Sequence, residues 1–133
     1  MTKVELELSD EEFSTVSSMS TADAAIEICR IHIRRGDPRA TFLPPGKGAD
    51  IRLRFSDGTE TDIEVKGTEK VGPAWNQFKV SSQQSHDLLM RGIPLYRVTE
   101  VGSRKVKVFV MRYGADFEMS PEPRWNIHPP RSK

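Results

Sequence analysis

Residues 50–55 and 60–66 each alternate apolar or small side chains with charged ones, and Ser56-Asp57-Gly58 lies between them. Period-two alternation around a turn is the pattern of a β-hairpin with one buried face. Ile51, Leu53 and Phe55 fall on one face with Ile63 and Val65, while Asp50, Arg52 and Arg54 fall on the other with Asp62, Glu64 and Lys66. The rest of the chain therefore has to supply an apolar cover for one side of this hairpin.

The cover is legible on both sides of it. Ala22, Ile26, Cys29 and Ile33 recur at helical spacing, Ser20 or Thr21 can cap the start and Gly36 with Pro38 stops the run, so a helix is predicted over 21–35. A second helix is predicted from Ser82 to Arg91, with Ser81 and Gln84 as its capping box, Gly92 at its end and a short strand at Phe78–Val80 before it. Strands follow from Pro94 to Val101 and from Lys105 to Tyr113 around a Gly102-Ser103 turn. Residues 3–8 read as an opening strand, and Ser9 with Glu12 as the capping box of a short helix. The fold class is α/β, a mixed central β-sheet flanked by helices. With 133 residues and 36% hydrophobic content, the chain makes one domain over 1–133, with a core at about 20–113 and a Pro-rich tail at 114–133 whose Trp125 is expected to pack back across the domain.

Charge and cysteine usage limit the function classes. Lys+Arg 20 against Asp+Glu 19 leaves a net charge of +1, so a nucleic-acid surface has to be a local patch rather than a global field. The lone Cys29 fits no disulfide framework and no multi-cysteine zinc spacing, and the N-terminal segment carries charges where a signal peptide needs an apolar run. A cytoplasmic protein without membrane association is expected. His32, His86 and His128 are scattered, without zinc-helix spacing. Pro45-Gly46-Lys47-Gly48 leads into a strand and lacks the Ser or Thr of a phosphate loop, so its expected work is to deliver Asp50 at a bend, with Lys47 near a phosphate.

The hairpin register decides which charges meet. A two-residue Asp57-Gly58 loop would set apolar side chains opposite charged ones on the same face. A three-residue loop restores the match, and its last residue must be left-handed, which suits Gly58 and not Thr59. Ser56-Asp57-Gly58 then places Arg52 opposite Asp62, Arg54 opposite Glu60 and Asp50 opposite Glu64. Two carboxylates about 5 Å apart at Cβ repel unless something lies between them, and Mg²⁺ or Mn²⁺ is the natural occupant. Lys66, one pleat along, can orient or deprotonate a water there. The other three-residue register pairs Asp50 with Lys66, Arg52 with Glu64 and Arg54 with Asp62, a salt-bridged hairpin without chemistry. Glycine placement favours the first.

Gly48-Ala49-Asp50-Ile51 and Ile63-Glu64-Val65-Lys66-Gly67-Thr68 resemble the core of the PD-(D/E)XK (restriction-endonuclease-like) nuclease superfamily, with Ala49 standing where the motif has proline. The Ile-Glu-Val-Lys-Gly-Thr wording, followed by Lys-Val-Ser-Ser-Gln-Gln, is similar to the nuclease-like C-terminal domain of NO VEIN-type proteins. The resemblance implies a Mg²⁺-dependent nuclease with Asp50 and Glu64 as metal ligands and Lys66 as the third catalytic residue. It adds Glu27 on the first helix and Gln84 on the second as candidate catalytic residues. For Glu27 the alternative is a helix-surface pair with Arg30 or Arg34; for Gln84 it is the cap of its helix. Lys47, Lys70 and Trp75 are the candidate nucleic-acid contacts, Trp75 by stacking on a base or else as a core anchor. DNA ahead of RNA is the expected substrate, in restriction, repair or phage defence. Cutting both strands takes two sites, which a homodimer would supply. The competing reading is an inactive nuclease-fold module that binds nucleic acid or a protein partner.

Overall fold

In the computed structural model the Gly58 turn forms as the register argument requires. Gly58 adopts φ +92°, and β3 (Ile51–Arg54) pairs antiparallel with β4 (Glu60–Gly67), setting Ile51 opposite Ile63, Arg52 opposite Asp62 and Arg54 opposite Glu60. The salt-bridged register with Asp50 opposite Lys66 is absent. The structure describes residues 1–122 and 124–131; Pro123, Ser132 and Lys133, part of the predicted tail, lie outside the described residues.

The hairpin occupies one half of a six-stranded mixed sheet. Beyond β3 lies the short edge strand β2 (Thr41–Leu43), and β4 runs parallel to β6 (Leu95–Thr99). Antiparallel pairing then adds β7 (Lys105–Met111) and the outer strand β1 (Thr2–Glu7), in the order β1-β7-β6-β4-β3-β2. Helices α1 (Asp10–Ser17) and α2 (Thr21–Gly36) cover one face. The reciprocal Ser9–Glu12 capping box opens α1, with bonds of 2.8 and 3.1 Å, and Ser20 caps α2 by accepting from the Asp23 N–H. Ile28 and Cys29 of α2 bury fully against Ile51, Ile63, Val65 and Val98.

The opposite face carries a second core. Helix α3 (Gln83–Met90) and a small three-stranded sheet of β5 (Lys79–Val80), β9 (Arg124–His128) and β8 (Glu118–Glu122) close over Leu95, Phe109 and Met111, with Phe78, Phe117 and Ile127 as the buried plugs. The tail thus does more than fold back: its hairpin builds a layer, and Trp125 stacks on His86 of α3 at 4.5 Å. The capping of α3 corrects the sequence reading. Ser82, not Ser81, is the cap, accepting at 3.1 Å from the N–H of Ser85, and Gln84 takes no part in it. Among the described residues no helix is long and apolar enough to cross a membrane.

Candidate active site

Where β3 begins, the chain bends sharply into it. Gly48 takes φ +88° and lies so close to α3 that a Cβ there would meet the Gln84 carbonyl carbon and Cβ at 2.7 Å. A hydrogen bond fixes the contact, the Ser85 hydroxyl donating to the Gly48 carbonyl at 2.8 Å. Asp50 follows at the bend. Its N–H still joins the ladder, donating to the Ile63 carbonyl at 3.0 Å, while its Oδ2 accepts from the Val65 N–H at 2.8 Å. The carboxylate thereby serves a β4 amide just past the paired end of β3.

Glu64 comes one residue before Val65 and points away from the α2 face. Its own N–H donates to the Pro94 carbonyl, and its side chain sinks beneath the start of α3 to 2% exposure. Glu64 Oε2 is fully buried and has no hydrogen-bond partner. Burial, and then a hydrogen-bonding contact with Asp50, push the Glu64 carboxyl up to about 8, against smaller opposing pulls from the Ser85 hydroxyl and the Lys66 ammonium. Near neutral pH Glu64 therefore holds a proton beside the Asp50 carboxylate. Lys66 lies opposite Arg97 of β6, half-buried on the same face as Glu64.

Asp50 lines a groove of 310 Å³ with Met19, Asp23, Ile26 and Arg30, on the α2 side, and neither Glu64 nor Lys66 is among its lining residues. The structure brings Asp50, Glu64 and Lys66 together and leaves Glu27 out. Glu27 pairs with Arg30 at 3.4 Å and lines a different groove, between α1 and α2, with Ser9, Glu12 and Thr15. Gln84 presses its backbone and Cβ toward Gly48 and is otherwise exposed. Lys47 and Lys70 are exposed in the loops before β3 and after β4, and Trp75 is half-buried against Phe78 at 5.7 Å.

Two residues near the pair escaped the sequence reading. Ser85 reaches both Gly48 and Glu64, and the Ser82-x-x-Ser85 spacing was its only signal. Asp23 puts a second carboxylate on the groove of Asp50, from the first turn of α2. Among the described residues no cluster of three or more His, Cys, Asp and Glu side chains is arranged to hold a metal. Chemically, the Asp50–Glu64 pair can share a proton or offer its oxygens to a hard cation.

Compared with protein-family models, curated protein sequences and solved structures, the chain matches none.

Proposed function

We propose that the protein is a divalent-metal-dependent nuclease with a restriction-endonuclease-like core, acting at Asp50, Glu64 and Lys66. The observation that carries this reading is the buried, unpartnered Glu64 Oε2 beside Asp50. A protein does not ordinarily hold a carboxyl protonated in its interior next to a second carboxylate without a use for the pair. The donor set fits Mg²⁺ or Mn²⁺, which take one or two carboxylates and complete their shells with waters and substrate phosphates. A bound cation would supply Lewis-acid polarisation of the phosphodiester and acidify a water.

The chain's own residues do the rest. Glu64 would have to give up its proton to hold a cation, and Asp50, anchored through Oδ2 to the Val65 amide, would offer its other oxygen. The Lys66 ammonium lies on the Glu64 face, where it orients the attacking water and offsets charge developing on the phosphate. Burial under α3 limits the water around Glu64, which strengthens these electrostatic effects.

Incubation with plasmid, linear duplex, single-stranded DNA and RNA, with and without Mn²⁺, tests the reading. Metal-stimulated cleavage that falls about a hundredfold or more in Lys66→Ala supports it. Nucleic-acid binding without cleavage of any of the four, weakened only modestly in Lys66→Ala, would instead identify a binding module on the same fold.

A further inference from the structure

The loop leaving Lys66 returns close to where it started. Arg97, 3% exposed on β6, spreads its guanidinium over three carbonyls: Gly67 at 3.3 Å, Pro73 at 2.8 Å and Ala74 at 3.2 Å. The same group lies 4.0 Å over the Phe78 ring. One planar fork thus ties the residue after Lys66 to the residue before Trp75. Ala74 is held in a left-handed conformation, φ +53°, a strained position for a residue with a Cβ.

The turn so held, Trp75–Gln77, forms one wall of a groove of 580 Å³ whose other wall is β9 and the residues after it. Ligand pockets commonly run from about 300 to 1,000 Å³. The indole of Trp75, the cations Lys79 and Arg131, and the amide of Asn76 line it together with His128. His128 is fixed at both nitrogens: Nδ1 donates to the Pro129 carbonyl at 2.9 Å, and Nε2 is hydrogen-bonded with the Ser120 hydroxyl at 2.9 Å. Among the described residues no carboxylate lines this groove, whereas three other surface grooves each carry Asp or Glu. A flat aromatic wall beside two cations suits a base joined to a phosphate.

We propose that this groove is a subsite for an unpaired nucleotide, its base on Trp75 and its phosphate by Lys79 and Arg131, so that the preferred substrate is a single-stranded or overhanging polynucleotide. The inference rests on the nuclease reading only in taking a nucleic acid as the ligand. A base inside a duplex already stacks on its neighbours and offers Trp75 no free face.

Fluorescence anisotropy with labelled dT12, rU12 and a blunt 12-base-pair duplex, in buffer with EDTA, tests it. Either single strand is expected to bind at least tenfold tighter than the duplex. Trp75→Ala should weaken that binding about tenfold, Trp75→Phe should retain most of it, and a Lys79→Ala/Arg131→Ala variant should flatten its salt dependence by roughly one to two counterions. Equal binding of the blunt duplex, or single-strand binding untouched in Trp75→Ala and in the double variant, would overturn the subsite. If Trp75→Ala does not fold by circular dichroism, Lys79→Glu/Arg131→Glu carries the test, with loss of single-strand binding supporting the subsite and retention overturning it. Adding Mn²⁺ separates the two claims. Trp75-dependent single-strand binding without cleavage leaves the subsite and removes the nuclease; blunt-duplex cleavage unchanged in Trp75→Ala does the reverse.

Discussion

Glu64→Gln should make the metal-free protein more stable, increasingly so as pH rises. The folded chain holds the Glu64 carboxyl at about 8 against an ordinary 4.5, so below 4.5 both folded and unfolded states carry the proton and the group costs nothing. Between the two values the unfolded chain ionises and the folded chain does not, which lowers stability by about 1.4 kcal/mol per pH unit. Above about 8 the loss is complete and constant. Over the whole window it has a ceiling of about 5 kcal/mol, and relaxation around the buried charge brings the expected value to about 2–4 kcal/mol. Glutamine mimics the protonated acid: it is uncharged, and its amide N–H can donate to Asp50. Wild type and variant should therefore melt alike near pH 4.5 and diverge to about 10 °C by pH 8.5, at roughly 3–5 °C per kcal/mol for a chain of this size. Thermal melts in EDTA at half-unit steps of pH measure the difference, in which the titrating groups that do not interact with Glu64 cancel. A variant less stable than wild type at pH 8 would show that Glu64 is ionised and paired in the fold, and the argument for a strained carboxyl pair would fail.

Gly48→Ala places a Cβ 2.7 Å from Gln84 at a φ of +88°, and should cost about 2–3 kcal/mol in denaturant unfolding while weakening metal binding, because α3 is pushed off the Asp50 bend; a change below 0.5 kcal/mol would contradict the contact. Arg97→Lys keeps the charge but cannot span three carbonyls, so amides over 67–78 should exchange hydrogen faster and stability should fall by about 2 kcal/mol or more. Unchanged exchange in that loop would remove the clamp. Cys29 is fully buried and its thiol is pushed far up by burial, so a disulfide reagent should label it only as fast as the chain unfolds.

The register of the hairpin was legible because a glycine with one tolerable position fixed the turn; Asp50 lies at a bend before β3, and the expected pair of Asp50 with Glu64 is not among the paired residues of the two strands. The depth of Glu64 was not legible. In the sequence it alternates with apolar residues like Glu60 and Asp62, of which Glu60 is exposed and Asp62 half-buried, and which pair with Arg52 and Arg54 at 2.8–3.6 Å. What buries Glu64 is α3 arriving from residues 83–90, a long-range event that period-two reading cannot see. Glu27 misled for a related reason. Of the predicted stripe of α2 only Cys29 and Ile33 are buried, joined by Ala24, Ala25, Ile28 and Ile31, while Ala22 is exposed; α1 covers a second face, and Glu27 turns toward it. The tail read as a breaker-rich extension because of Pro121 and Pro123, yet β8 pairs with β9, and β9 with the two-residue β5.

Calorimetric titration of Mn²⁺ into the protein at pH 7, repeated in two buffers of different ionisation enthalpy and with Asp50→Asn and Glu64→Gln, tests the carboxyl pair as a cation site most directly. One site per chain is expected, with close to one proton released on binding in wild type, because Glu64 holds that proton beforehand. Both variants should lose the site. Binding that persists unchanged in both variants, or no binding to the wild-type chain, would contradict the account.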